Sequence, residues 1–248
     1  MDLTTRERFA LRIQRGASRI LSPLWVPLLT AIMRFVMNWR IEGADAVRRQ
    51  FAQLRRESDS PLLVCANHLT MLDSFVIGWS LGSGSFFLRD FGALPWNTPE
   101  RVLFASQAWK RALVWLFKCV PVRRGSDRAE VARTLEKIRF LMLRGEVALI
   151  FPEGGRSRTG RVQANAAAYG VGRLLRSLPN CRVLCVYLRG RGQETWSNFP
   201  KRGERFVVQA RVIEPKASHP GLRGSLEMSG QIVTQLARME RGVLDDWQ

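Results

Sequence analysis

Residues 61–73 read Pro61-Leu62-Leu63-Val64-Cys65-Ala66-Asn67-His68-Leu69-Thr70-Met71-Leu72-Asp73. Leu62 to Ala66 is a short apolar run of strand length, and Leu72 to Leu81 continues as a helix. Outward from this pair the same alternation repeats. Downstream, Ser85 to Leu88 reads as a strand and Pro99 to Lys118 as a helix with Val102, Ala105, Trp109, Ala112 and Leu116 on one face. Val120-Pro121-Val122 is a short extended piece. Ser126 to Leu143 reads as a helix with Ser126 as its N-cap and Gly145 just past its end. Val147 to Phe151 is a buried-type strand, Asn165 to Ser177 a helix, and Arg182 to Leu188 and Phe206 to Ile213 are strands. Leu226, Val233, Leu236 and Met239 mark a final helix. Strands separated by helical stretches of this length predict an α/β fold, a mixed, mostly parallel central sheet with helices on both faces. The chain shows no internal repeat and no low-complexity segment.

The 248 residues carry 34 arginines and 5 lysines against 21 acidic residues, a formal net charge of +18. The excess is spread along the length. With 46% apolar residues the chain can bury enough surface to offset its ordering entropy, which argues against a disordered basic protein. The charge predicts an anionic partner: nucleic acid, an anionic membrane surface or a phosphorylated substrate. No zinc-finger, RNA-recognition or basic-zipper pattern supports specific nucleic-acid binding. Cys65, Cys119, Cys181 and Cys185 form no C-x-x-C pair and lie in apolar runs, which fits buried core thiols in a reducing cytoplasmic setting.

The first 42 residues read as a helical membrane-association element, and residues 43–248 as the catalytic domain. No small-residue cleavage site follows the early arginines, so a signal peptide is not indicated. Arg8, Arg12, Arg15 and Arg19 recur at helical spacing, with Phe9, Ile13, Gly16 and Ile20 offset by one. Ile20 to Met33 is uncharged for 14 residues, short of the roughly 18–20 needed to span a bilayer. An Arg-rich amphipathic helix followed by an aromatic, apolar helix from Pro23 to Trp39 suits the membrane interface. The alternative is a helical hairpin packed on the core.

Sites in α/β sheets collect just beyond strand ends, and two such junctions here are unusually polar. At the first, His68 is followed five positions on by Asp73. On a strand-to-helix turn the carboxylate can fold back onto one imidazole nitrogen, leaving the other free to take a proton from a hydroxyl. The plainer alternative is a satisfied histidine beside a helix-capping Asp. At the second, Phe151-Pro152-Glu153-Gly154-Gly155-Arg156-Ser157-Arg158-Thr159-Gly160-Arg161 delivers one carboxylate, clustered glycines and three arginines. Glycines allow close backbone approach, and Arg forks suit a phosphate. It lacks the glycine-lysine-Ser/Thr ending of a Walker loop. A third cluster, Arg123-Arg124, either adds to an anion site or is solvated. No G-x-S-x-G elbow indicates a serine hydrolase.

In order and spacing these blocks resemble the motifs of the glycerolipid (lysophospholipid) acyltransferase superfamily. Asn67-His68 through Asp73 is similar to its N-H-x4-D motif. Val120 to Arg124 is similar to its second block, and Phe151 to Ser157 to F-P-E-G-T-R-S. The likeness extends from about residue 60 to 215. The resemblance implies direct acyl transfer from acyl-CoA or acyl carrier protein, without an acyl-enzyme and with no metal or organic cofactor. It implies His68 as general base with Asp73 as its partner, and an acceptor phosphate site shaped by Arg123, Arg124, Glu153, Gly154, Gly155, Arg156 and Ser157. The implied acceptor is a lysophospholipid, 1-acylglycerol 3-phosphate giving phosphatidate, at the cytoplasmic face of the inner membrane. The implied enzyme is peripheral or monotopic, with a two-helix N-terminal element. Gly155 and the Arg123-Arg124 pair look closer to glycerol-3-phosphate acyltransferases, and lyso-amino-lipid acceptors form a further alternative. A basic nucleic-acid-binding protein and a catalytically silent lipid-binding relative are the readings from other classes.

Overall fold

Leu62–Ala66 is one of the inner strands of a six-stranded sheet. The computed structural model describes residues 2–101, 107–123 and 128–247. The strands are β1 (Arg40–Glu42), β2 (Leu62–Ala66), β3 (Trp96–Asn97), β4 (Ala148–Ile150), β5 (Arg182–Gly190) and β6 (Arg205–Ile213), in the order β1-β6-β5-β2-β4-β3. Every neighbouring pair is parallel except β5 with β6. The sheet is therefore mixed and mostly parallel. Cys119 and Val122 bridge in parallel to Asn97 and Glu100, so the Val120–Val122 segment extends the β3 edge.

The fully apolar strands are buried on both faces, and their residues sort by parity. Leu63, Cys65, Val183, Cys185 and Tyr187 pack into one core with Ile138, Val171 and Ile232. Leu62, Val64, Leu184, Val186 and Leu188 pack into the other with Phe51, Val76 and Ile77. The helices follow from this: α2 (Ala44–Glu57), α3 (Asp73–Leu81) and α4 (Gly84–Arg89) cover the second face. The first face is covered by α6 (Arg128–Met142), α7 (Tyr169–Arg176) and α8 (Gly221–Asp245), leaving α5 (Ala108–Leu116) at the sheet's β3 edge.

Several local expectations are corrected. Ser85 to Leu88 lies within helix α4 and not in a strand, because Ser83 Oγ caps it by accepting from Phe86 N at 3.1 Å. The helix expected over Pro99–Lys118 is described only as Ala108–Leu116, since Pro99 and Glu100 pair alongside Val122. Its buried residue is Val114, whereas Trp109 is 61% exposed. Val102, Ala105 and Ser126 lie outside the described residues, as does Arg124. Helix α7 begins at Tyr169 and not Asn165, because Ala168 N is drawn to Pro152 O (2.8 Å) across the site loop.

At the N-terminus one helix, α1 (Thr5–Ala31), replaces the expected pair and continues into a π-helical turn, Ile32–Val36. Pro23 and Pro27 sit inside it. Pro23 cannot donate to Arg19 O, and Ser22 Oγ takes over that bond at 2.7 Å. The inner face of α1 docks on the core through polar groups. Gln14 donates to Trp115 O and Cys119 O, and Ser18 to Leu116 O. Arg15 pairs with the buried Glu146, which also holds Lys118 Nζ at 2.7 Å and Trp96 Nε1 at 2.8 Å. Glu7 pairs with Arg133, which holds its carboxyl down at about 2.

Candidate active site

Because β2, β4, β5 and the Val120–Val122 edge run the same way, their C-terminal ends open onto one edge of the sheet. His68 leaves β2 there, Glu153 leaves β4, and the loop of residues 191–204 leaves β5. Arg123 is exposed on the same edge, three strand spacings from β2, or about 14 Å at roughly 4.8 Å per strand. Asn67, just before the histidine, fixes the exit of β2. Its amide group accepts from Leu188 N (2.8 Å) and donates to Leu188 O (2.9 Å) on β5.

The spacing of His68 and Asp73 works through the tight turn between them. Asp73 is the first residue of α3 and is buried. Its Oδ2 meets His68 Nδ1 at 2.9 Å and accepts from the backbone amides of Leu69 (2.6 Å) and Thr70 (2.7 Å). Its Oδ1 accepts from Thr70 Oγ1 at 2.6 Å. The imidazole is stacked on Phe151, with centroids 4.0 Å apart and planes inclined by 14°. The ring is thus held at one nitrogen and across one face, and Nε2 has no partner among the described residues. A carboxylate on Nδ1 selects the tautomer with its proton on that nitrogen, so Nε2 presents a lone pair.

The loop after β4 folds against this turn. Ser157 N donates to His68 O at 2.9 Å. Gly154, at φ +70°, makes the sharp turn and donates from its N to Phe151 O at 3.1 Å, and a side chain there would be strained. Gly155 follows it within the same turn. Ser157 is buried, and its hydroxyl donates to Arg161 O (2.5 Å) and accepts from Arg161 N (3.1 Å), so it closes the loop on itself. Glu153 Oε2 accepts from Gln163 N at 3.2 Å, while Oε1 is buried with no hydrogen bond among the described residues. Burial pushes this carboxyl up to about 7, against the weaker opposite pull of the Gln163 and His68 amides. Arg156 donates to Asn198 Oδ1 at 2.8 Å.

A family model for acyltransferases matches residues 38–189. The chain belongs to the acyltransferase family. No curated protein matches the chain. The matched span takes in both polar junctions of this acyltransferase, from β1 to the end of β5.

Sequence motifs did not disclose Thr70, Phe151 as a stacking partner, Trp196 or Asn198. Thr70 carried a signal, an N-terminal hydroxyl residue three positions before an acidic helix start. Trp196 and Asn198 carried none, because they come from an unpatterned loop more than forty residues from Glu153, brought to the site by the parallel pairing of β5 with β2. The cysteines are free, and burial pushes Cys119, Cys181 and Cys185 to about 12 and Cys65 well above its ordinary value. Thiols so protonated are poor nucleophiles. Among the described residues no group of three His, Cys, Asp or Glu is arranged to hold a metal ion.

Proposed function

We propose that this acyltransferase moves a fatty acyl group from an acyl thioester, acyl-CoA or acyl carrier protein, to the hydroxyl of a lysophospholipid, with 1-acylglycerol 3-phosphate as the leading acceptor and phosphatidate as product. The observation that carries this reading is the Nδ1-anchored His68 with its open Nε2 (His68 Nδ1 to Asp73 Oδ2, 2.9 Å). Nε2 takes the proton of the acceptor hydroxyl as its oxygen attacks the thioester carbonyl, and Asp73 stabilises the imidazolium. The tetrahedral intermediate then collapses: the C–S bond breaks, the ester remains, and the imidazolium returns its proton to the departing thiolate. No acyl-enzyme is needed.

Arg156, with Arg123 and Arg124, supplies cations for the acceptor phosphate, while Glu153 and the Gly154-Gly155 turn shape its floor. Ser157 contributes by holding the loop closed. Behind α3 a narrow apolar cavity runs between α1 and the sheet, lined by Trp25, Leu29, Met33, Phe75, Gly78 and Phe117 among others. Its lining includes Ser74, the residue after Asp73, so it is the proposed seat of part of the acyl chain.

The N-terminal helical run, Thr5–Val36, is long and apolar enough by length and composition to cross a membrane. Its inner face, however, is bonded to the catalytic core from Glu7 to Trp25, contacts a spanning helix could not keep. These contacts support a monotopic enzyme with α1 lying in the interface, and the cytoplasmic face is the side that the family resemblance implies.

The purified protein is expected to release thiol from acyl-CoA or acyl carrier protein only when acceptor is present. His68→Ala should lower turnover by about 10²–10⁴-fold. Near wild-type turnover in that variant removes His68 as the base. A panel of lysophosphatidate, glycerol 3-phosphate and lyso-amino-lipid with both donors identifies the acceptor.

A further inference from the structure

Away from the His68 site, Arg128, Arg173 and Arg176 line an open groove with Tyr169 and, from the first turn of α8, Gly221 and Leu222. All three arginines are exposed, and among the described residues no acidic side chain lines the groove. The acids on the neighbouring turns are committed elsewhere: Glu130 to Arg101, Glu136 to Arg139 and Glu227 to His219. Arg176 donates to the neutral Gly221 O, and Arg128 and Arg173 pair with no carboxylate among the described residues.

Local structure does not account for this gathering. A helix C-terminus favours a cation, and the last turn of α7 holds two, three positions apart and so side by side on one face. Arg128 is the first residue of α6, where the helix dipole opposes a cation. Carboxylates supplied from outside relieve that opposition and the mutual repulsion.

Beside the arginines, α8 leaves Leu222 57% and Leu226 43% exposed, four residues apart on one face. The phosphates of a nucleotide would meet the arginines but leave both leucines in water. A protein surface with carboxylates around an apolar centre matches both. The groove also leads to the site. Helix α7 has eight residues, about 12 Å at a rise of roughly 1.5 Å each. At its start Ala168 N donates to Pro152 O (2.8 Å), and the preceding Phe151 carries the ring stacked on His68.

We propose that this groove docks an acidic acyl carrier protein. Its carboxylates meet Arg128, Arg173 and Arg176, its apolar surface covers Leu222 and Leu226, and its thioester-bearing arm follows α7 past Tyr169 to His68. The inference rests on the acyl-thioester reading above. It goes beyond that reading in naming the carrier protein as a donor and in placing its contact on residues outside the family-like motifs.

The test is equilibrium binding of holo acyl carrier protein to the full chain in detergent. Arg128→Glu and Arg173→Glu are each expected to weaken it about tenfold, and high salt should weaken wild-type binding as well. Arg49→Glu makes the same charge change at an exposed position of α2 and should leave the affinity near wild type, which separates the groove from the net charge. In turnover the two groove variants should raise KM for the acyl carrier protein about tenfold while kcat and the acyl-CoA KM stay near wild type. A wild type that does not bind carrier protein, or unchanged affinity in both groove variants, overturns the proposal. So does an equal loss in Arg49→Glu, the mark of unspecific attraction to a +18 chain, or an equal rise in KM for both donors. A wild type that binds carrier protein through these arginines but transfers no acyl group overturns the acyltransfer reading and leaves the docking site standing.

Discussion

Asp73 is the most heavily committed side chain at the site: two backbone amides, one hydroxyl and the His68 ring converge on its two oxygens. An amide in its place offers an acceptor on one side only, so some of these donors must face an NH2 group. Asp73→Asn is therefore expected to lower turnover at least about hundredfold and to cost about 1–3 kcal/mol in a urea unfolding titration. Thr70→Val removes the hydroxyl's bonds to Asp73 Oδ1 and from Leu72 N but leaves the His68 contact, so its activity should lie well above that of Asp73→Asn. Equal losses in the two variants count against Asp73 acting through the imidazole. Glu153 adds a pH dependence. Burial raises its carboxyl from 4.5 to about 7, so the folded state prefers the protonated form. Its contribution to stability is fully present below 4.5 and is lost as pH rises through about 7. Glu153→Gln cannot ionise, and its melting temperature should fall less than the wild type's between those two values. Parallel melting curves against pH in the two proteins rule this out.

At the scale of elements, the link between α1 and the sheet depends on a charge buried far from solvent. Lys118 and Glu146 are almost fully enclosed, and Arg15 brings α1 to the same carboxylate. Lys118→Met leaves Glu146 without its buried cation and strips a donor from Phe91 O and Leu94 O, a loss of about 3–5 kcal/mol in denaturant titration. Arg15→Ala removes a partly exposed partner and should cost about 1 kcal/mol or less. A smaller effect for Lys118→Met than for Arg15→Ala contradicts this ranking. Which elements were legible in the sequence follows the same physics. Strands β2, β5 and β6 and helix α8 are long or uniformly apolar, so burial alone dictates them. Ser85–Leu88 is four residues long, too short to show a period, and the cap from Ser83 decides it. Asn165–Ala168 has helical composition, but Ala166 N closes a turn on Gln163 O and a tertiary bond to Pro152 holds Ala168 extended. The proline pair in α1 looked like a helix boundary until the Ser22 hydroxyl filled the gap. At the site, His68, Asp73 and the Glu153–Arg156 turn are legible because short local spacings bring them together. Trp196 and Asn198 depend on the parallel pairing of β5 with β2, more than a hundred residues apart in sequence, which no local pattern records.

For the whole molecule, α1 divides its circumference into three. Leu11, Gln14, Ser18, Ser22, Trp25 and Val26 face the core. Opposite them Phe9, Ile13, Ile20, Leu24 and Leu28 form an exposed apolar stripe, with Ile20 78% and Leu24 72% accessible. Arg8, Arg12 and Arg19 line one flank and are exposed. An apolar stripe bordered by cations is suited to acyl chains below and anionic headgroups beside it. The net +18 thus divides by location, part of it along α1 and part around the turns that carry His68 and Glu153. The two contributions separate experimentally. Ile20→Asp with Leu24→Asp should lower binding to vesicles of any charge by about tenfold or more, without changing unfolding in solution, because both side chains are already in water. Replacing Arg8, Arg12 and Arg19 by Gln removes about 1 kcal/mol each near an anionic surface, or about a hundredfold on phosphatidylglycerol vesicles. That loss should vanish on phosphatidylcholine and shrink in high salt as the charges are screened. Cosedimentation with the two vesicle types, at low and high salt, measures both. If the Asp pair sediments like the wild type, the apolar stripe does not enter the bilayer, and the enzyme must reach its lipid from another face.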